Sequence, residues 1–149
     1  IVNQKYNDWS DSYFSTSLGK ERTYNDAAST NIGLRAWWRP QETGTATPSI
    51  SVGFDTSETD ATSNSNTTMY FVGLNWQDIF QADDRIGLAF GQPQKREGET
   101  TDPFAWEAYY SFQVNDSINV TPAIFGGSDR NGTASSDLTG AVLETTFKF

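Results

Sequence analysis

Hydrophobic and polar residues alternate through the last stretch of the chain, Thr139–Phe149. One parity holds Ala141, Leu143, Thr145, Phe147 and Phe149, and the other holds Glu144, Thr146 and Lys148. Successive side chains of a β-strand point to opposite faces, so this parity predicts a strand with one apolar and one polar face. An apolar strand face on a water-exposed surface invites aggregation, whereas one that meets lipid does not. The pattern therefore favours a strand of a transmembrane β-barrel.

The same alternation recurs along the chain and predicts seven strands in all. They are Thr30–Arg39, Thr47–Thr56, Thr67–Gln77, Asp84–Gln92, Phe104–Val114, Ile118–Gly127 and Thr139–Phe149. Their length suits tilted strands that cross a bilayer, since soluble strands more often have about 5–6 residues. A shorter alternation predicts an eighth strand at Ser12–Leu18, whereas Ile1–Ser10 shows no period. We therefore divide the chain into an N-terminal segment, 1–29, and a barrel portion, 30–149.

The predicted connections alternate between long and short. The long ones, rich in small and polar residues, are Ser57–Asn66, Pro93–Pro103 and Ser128–Leu138, and the short ones are Pro40–Ala46, Asp78–Asp83 and Asn115–Ser117. Because Phe112 and Val120 must share a face, the last turn needs an odd number of residues, which predicts a three-residue turn pairing Val114 with Ile118. Long loops at one end and tight turns at the other are typical of outer-membrane barrels.

Composition removes several classes of function. Hydrophobic residues make up 36% and aromatic residues 14% of the 149 residues, with a mean hydropathy of −0.59. This mixture fits an apolar shell around a polar lumen, and no run is long enough for a membrane helix. The absence of cysteine and histidine excludes disulfides, zinc fingers and Ser-His triads. The net charge of −9 argues against a nucleic-acid partner. We expect no metal and no cofactor.

Parity places a set of charged and aromatic side chains on the lumen side. The predicted pore-lining residues are Arg35, Trp37, Arg39, Asp55, Arg85, Glu107, Tyr109, Glu144 and Lys148. Rings of charge select ions by their local potential, and arginines would favour anions at their depth. Alternatively, these charges solvate a wide wall or pair across strands. Trp37 and Tyr109 either stack on sugar rings or pack beneath an inserted segment. Glu107 and Glu144 lie on distant strands, which argues against a glycosidase and, more broadly, against an enzyme.

The opposite parity carries aromatic residues near strand ends. They are Trp38, Tyr70, Trp76, Phe104, Trp106, Phe147 and Phe149. Amphipathic rings settle at headgroup depth, so this set predicts the aromatic girdles of a lipid-facing surface. The alternative is core packing within a soluble β-sandwich.

Several segments resemble the C-terminal region of the carbohydrate-selective porin (OprB) family, in particular its cyanobacterial members with an N-terminal surface-layer-homology domain. They are Asp102–Phe125, Asn75–Phe80, Gly87–Pro93 and Thr145–Phe149. The resemblance implies that this chain forms about 7–8 strands of an antiparallel barrel of roughly 16 strands. It also implies a homotrimer in the outer membrane of a Gram-negative-type bacterium, here a cyanobacterium, which passes small solutes, inorganic ions, iron or carbohydrates. The assembly machinery for such barrels would bind the C-terminal Phe149.

Two further hypotheses stay open at this point. Eight strands in about 150 residues also suit a small barrel that is filled by side chains and serves adhesion or anchoring. Gly33, Ser51, Gly53, Gly87 and Gly91 are, however, small for plugging a narrow lumen. A soluble all-β carbohydrate-binding module is the other hypothesis, and it predicts purification without detergent.

Overall fold

The computed structural model describes residues 2–5, 28–59, 66–129, 134 and 136–149, and within them it is all-β. The strands are β1 (Val2–Lys5), β2 (Ala28–Trp38), β3 (Ser49–Thr59), β4 (Thr67–Gln77), β5 (Arg85–Arg96), β6 (Phe104–Asn115), β7 (Ile118–Ser128) and β8 (Leu138–Phe147). They form one antiparallel sheet in chain order. Every neighbouring pair is therefore joined by the connection next to it in sequence.

The register brings the apolar residues of neighbouring strands onto one face of the sheet. Trp38 pairs with Ile50, and the same row continues through Leu74, Leu88, Ala108, Ile124 and Ala141. A slip of one residue at any of these pairs would transfer a whole strand's apolar set to the other face. The alternation predicted from sequence is thus matched by the pairing, and we call this surface the apolar face.

The sheet is a single layer without a hydrophobic core. Among the residues whose burial is described, no hydrophobic side chain is buried. Leu34 is 62% exposed and Leu143 67% exposed, although both lie on the apolar face. Burial of apolar surface is the main driving force of folding, so a water-soluble domain of this size normally encloses such residues. No second sheet packs against the described strands to do so.

The strand ends are staggered along the sheet. The row that starts at Trp38, the last residue of β2, reaches β8 at Ala141, six residues before that strand ends at Phe147. At the other end, the row through Leu138 reaches β2 at Arg35, seven residues after the strand begins. The offset is six to seven residues of about 3.3 Å over six steps of about 4.8 Å between strands. The strands are therefore inclined by about 35–39° to the perpendicular of the line through their ends, which would be the axis of a closed barrel.

Two details differ from the sequence prediction. Val2–Lys5 forms a strand that pairs with β2, although the first ten residues show no period. Val114 does not pair with Ile118. Instead, Asn115 pairs with Ile118 across a two-residue turn, and a bulge beside Asn115 restores the predicted pairing of Phe112 with Val120. The extra residue in the bulge has the same effect as an extra residue in the turn, because either one keeps the apolar side chains of both strands on the same face of the sheet.

Strand β4 has its predicted limits, Thr67–Gln77, and the limits of the other predicted strands shift by one to four residues. Strand β5 begins at Arg85 rather than Asp84 and continues through Pro93 to Arg96. Proline cannot donate a ladder hydrogen bond, and here the register of β4 and β5 shifts between Thr68 and Tyr70, opposite Pro93. Arg39 and Lys148 lie just beyond the ends of β2 and β8. The strand predicted at Ser12–Leu18 lies outside the described residues.

Candidate functional site

The face opposite the apolar face carries most of the predicted site residues, and we call it the polar face. Register places Arg35, Trp37, Asp55, Arg85, Glu107, Tyr109 and Glu144 on it. Arg39 and Lys148, which follow the ends of their strands, belong instead to the sheet margin at the tight turns. The face is not uniformly polar, because Phe71, Phe125 and Val142 also lie on it.

An ion pair joins β2 and β3 near the middle of this face. The guanidinium of Arg35 donates two hydrogen bonds to the Asp55 carboxylate, Nη1 to Oδ1 at 2.9 Å and Nη2 to Oδ2 at 2.6 Å. Its centre also lies 5.4 Å from the centroid of the Phe71 ring. This bidentate geometry, combined with a cation–π contact, holds the guanidinium against the wall. The charge of Arg35 is therefore largely compensated where it sits.

Aromatic side chains on the polar face lie over glycines of neighbouring strands. A Cβ added to Gly53 would collide with the Phe71 ring, and one added to Gly87 would collide with the Tyr109 ring. At Gly140 such a Cβ would come 2.5 Å from the Phe125 ring. Each ring thus fills the space that a side chain on the partner residue would occupy, a known way of supporting glycine in sheets. Phe71 and Phe125 were not among the predicted site residues, and an aromatic residue directly paired with glycine is the signal that would have found them.

Tyr109 is held in place rather than free. Its hydroxyl accepts a hydrogen bond of 3.0 Å from the Asn75 side-chain amide, which also donates to the Ile86 carbonyl at 3.2 Å. Because one side of the ring covers Gly87, the tyrosine packs on the wall instead of projecting from it. Packing was one of the two interpretations left open, although the ring lies on the sheet itself rather than beneath an inserted segment.

Trp37 contrasts with Tyr109. Its side chain is 74% exposed, and its register partner is the small Ser51, followed by Gly73 and Ala89 on the next strands. Small residues also follow Arg35 along its row, at Gly53 and Gly91. The central strands therefore present a shallow trough, with an accessible indole at its turn end. Of the two predicted inward aromatic residues, only Trp37 offers an open ring surface.

The remaining charged residues are distributed along the polar face. Glu107 pairs in register with Ala89 and Phe125, is exposed, and makes no ion pair or hydrogen bond within the described part of the chain. Glu144 pairs with Thr121, and Arg85 begins β5 at the turn end. Glu107 and Glu144 lie two strands and four residues apart in register, about 16 Å. That exceeds the roughly 5–10 Å between the paired carboxylates of glycosidases.

A buried carboxylate organises the β4–β5 turn. Asp84 is 0% exposed and accepts hydrogen bonds from the backbone N–H groups of Ile79, Phe80 and Gln81 at 2.8–3.1 Å and from the Tyr110 hydroxyl at 2.9 Å. Desolvation by burial raises the pKa of Asp84, but these donors outweigh it and the pKa falls below its ordinary value. This role differs from the sequence prediction, in which Asp84 is the first residue of a strand.

The β2–β3 connection is tied to the end of β4. The Gly44 N–H donates to the Gln77 carbonyl at 2.8 Å, and the Trp76 indole N–H donates to the Ala46 carbonyl at 2.9 Å. A hydrogen bond from the Thr43 side chain lowers the pKa of Asp78. Between this connection and the polar face lies a cleft of about 180 Å³. Its lining includes Arg39, Glu42, Thr43, Ser49, Asn75 and Gln77. Arg39 thus belongs to the turn end and not to the mid-strand wall.

The predicted girdle residues follow the apolar face. Trp38, Tyr70 and Phe147 are each about half exposed, and Trp106 covers Gly126. Trp38, Trp76 and Phe147 lie near the turn ends of their strands, whereas Tyr70, Phe104 and Trp106 lie toward the ends at the long loops. Phe149 lies beyond the end of β8 and is fully exposed. The predicted girdle residues thus lie toward the two ends of the strands, whereas Val72, Phe54 and Phe90 occupy the middle of the same face.

The described residues include neither a metal-binding cluster nor a membrane-spanning helix. No group of three or more acidic residues is arranged to hold a metal ion in the part of the chain that the structure describes. Across those same ranges, no helix is long and apolar enough to span a membrane.

Comparison with known proteins adds one distant relative. No family model matches the chain, and no solved structure matches it. The chain is 28% identical over 141 residues to uncharacterized protein alr4550 from Nostoc sp. strain PCC 7120. The match covers 90% of this chain and 24% of that protein, so the chain spans about a quarter of the length of the curated relative.

Proposed function

We propose that this chain is part of a transmembrane β-barrel of the outer membrane, a porin through which small solutes or inorganic ions diffuse passively. The apolar face would meet lipid and the polar face would line the lumen. The observation that carries this proposal is the single-layer sheet whose apolar face has no protein layer against it in the described residues. In hydrocarbon such a face is stable, because lipid replaces the missing core.

The dimensions of the sheet support a membrane barrel. The seven long strands have 10–12 residues, which suits strands that cross a bilayer at an angle. Their inclination of about 35–39° falls in the usual range for barrels, about 35–45°. An 11-residue strand at this angle projects about 28–30 Å along the barrel axis, slightly more than the apolar band of about 25 Å. The girdle residues near the strand ends, such as Trp38, Trp76 and Phe147, lie where headgroups would be.

The polar face favours an open lumen over a filled one. The trough of Ser51, Gly53, Gly73, Ala89 and Gly91 provides few side chains that could plug an interior. Phe71, Tyr109 and Phe125 point inward but lie over glycines, which keeps them close to the wall, and Trp37 is the inward aromatic residue that projects. In a small eight-stranded barrel the interior must be filled by side chains. A larger barrel, to which this chain contributes about 7–8 of roughly 16 strands, fits the trough better.

The solute and the assembly follow from the resemblance to carbohydrate-selective porins. On that basis we propose a homotrimer in a cyanobacterial outer membrane, with assembly through Phe149. The relative from Nostoc is consistent with such a source. The exposed indole of Trp37 favours a carbohydrate among the candidate solutes, since flat aromatic surfaces stack on sugar rings.

Planar-bilayer recording on the full-length protein tests the proposal. We expect stepwise increases of conductance in KCl, and insertion that requires detergent or lipid. A protein that stays monodisperse in water without detergent would support the soluble carbohydrate-binding module. Insertion without conductance would support the filled, adhesive barrel.

A further inference from the structure

We propose that Glu107 sets the charge preference of the lumen wall formed by this chain, and that it favours cations. The inference rests on the proposed pore and names the residue that decides which ions pass this part of the wall. From sequence alone the arginines were expected to favour anions. In the structure, however, Arg35 is paired with Asp55 and Arg39 lies beyond the end of its strand.

Glu107 has no cation beside it in the described part of the polar face, whereas Asp55 has one. Arg35 and Asp55 neutralise each other through two hydrogen bonds, and Phe71 holds the guanidinium against the wall. Arg85, the first residue of β5, and Glu144, three residues from the end of β8, lie in one register row about 14 Å apart and form no ion pair with each other. Arg39 and Lys148 lie beyond the strands. Glu107 is thus the one acidic side chain in the loop halves of the described strands that lies on the polar face and has no cationic partner.

The surroundings of Glu107 let its field reach a passing ion. It is exposed, and its cross-strand partners are the uncharged Ala89 and Phe125. Strand β5 places no large side chain next to Glu107, because the trough of small residues begins at Ala89. A carboxylate at the rim of such a trough, backed by a low-dielectric wall, attracts cations and repels chloride.

The size of the effect follows from Coulomb's law with screening. For an ion about 9 Å from the carboxylate in water, with a Debye length of about 10 Å at 0.1 M salt, one charge changes the potassium-to-chloride permeability ratio about twofold. At 0.01 M the Debye length is about 30 Å, and the change becomes about threefold. Reversal of the charge squares these factors, to about fourfold and ninefold.

The experiment measures reversal potentials of the full-length protein in planar bilayers under a KCl gradient. Glu107→Gln should lower the potassium-to-chloride ratio about twofold near 0.1 M, and Glu107→Lys about fourfold, with larger effects in dilute salt. The matched control is the double variant Arg35→Gln, Asp55→Asn, which removes two charges but leaves the net charge unchanged. We expect this control to keep the wild-type ratio.

The outcomes separate the two proposals. If the wild type conducts and both Glu107→Gln and Glu107→Lys keep its potassium-to-chloride ratio, the assignment of Glu107 is wrong and the pore stands. A shift in the double variant as large as that of Glu107→Gln would also overturn it, because the ion pair would then dominate. If the wild-type protein inserts without conducting, the pore itself is refuted and the inference with it.

Discussion

An arginine at Val72 should distinguish a lipid-facing surface from any other. Val72 is the sixth of the 11 residues of β4 and lies on the apolar face. In the proposed barrel, with the strands inclined by about 35–39°, it would lie about 14 Å along the axis from either end of its strand, near the bilayer midplane. Arginine on the lipid face of a barrel costs about 2–4 kcal/mol at the midplane and about 0–1 kcal/mol near the interface.

We therefore expect Val72→Arg to lower the free energy of unfolding by about 2–4 kcal/mol, a change of about 30- to 900-fold in the unfolding equilibrium. Thr68→Arg, on the same strand and face but close to the long-loop end, should cost about 0–1 kcal/mol. Ala89→Arg is the matched control at similar depth on the polar face. Water in a lumen would solvate this arginine, so the cost should stay within about 0.5 kcal/mol.

The assay is reversible unfolding of the full-length protein by guanidinium chloride in lipid vesicles, followed by tryptophan fluorescence. Vesicles with shorter acyl chains should reduce the cost of Val72→Arg, since the charge then lies closer to water. Equal costs at Val72 and Ala89, or a cost at Val72 that does not depend on bilayer thickness, would refute the assignment of the two faces. A soluble sandwich core would give that second result, because burying a charge there is costly whatever the lipid.

Three further predictions concern the polar face and its turns. Gly87→Ala should destabilise the fold by about 1–3 kcal/mol, because the new Cβ collides with the Tyr109 ring; in a Tyr109→Ala background the same change should be nearly neutral, as a double-mutant cycle would measure. Asp84 has a folded-state pKa below its unfolded value of about 3.9, so its stabilisation is fully present above that value and is lost as the pH falls through the lower folded pKa. Amide hydrogen exchange at Phe80 and Gln81 should therefore stay slow down to about pH 4. At neutral pH it should accelerate in Asp84→Asn but not in the control Asp83→Asn. Equal exchange rates in the wild type and both variants would contradict this role. Trp37→Ala should weaken block of the conductance by a linear oligosaccharide, whereas Tyr109→Phe should not; equal effects of the two changes would show that the open indole is not the sugar platform.

Parity along the sequence predicted the sheet well and its side-chain chemistry less well. Each of the seven predicted segments lies within or overlaps one strand. In a strand with one apolar face, every second residue is apolar, so the pattern shows both the strand and the face of each side chain. β1 was missed, since Val2–Lys5 is too short to show a period and owes its conformation to pairing with β2. The turn at residues 115–117 shows that parity fixes the pairing of Phe112 with Val120 but cannot distinguish a longer turn from a bulge.

In the candidate site, too, the sequence predicted the face on which a residue lies but not its contacts. Parity placed Arg35, Asp55 and Glu107 on one face, but it could not show which of them are paired. An ion pair between residues 35 and 55 depends on the diagonal offset between β2 and β3, and that offset is set by the connection between them. Asp84 was misplaced for a related reason, because a capping carboxylate and a strand residue look alike until the turn backbone is known.

The rings that lie over glycine determine how much of the interior stays open. A ring flat against the backbone occupies about 3.5–4.0 Å, the thickness of one layer of atoms, whereas an upright tyrosine or phenylalanine would project much farther toward the axis. Phe71, Tyr109 and Phe125 therefore line the sheet almost as thinly as an alanine would. In a closed barrel, the clear width along these strands would depend on strand number and inclination far more than on side-chain bulk. A methyl group at Gly53 or Gly87 would narrow the passage by more than its own size, because it would lift the aromatic side chain off the sheet.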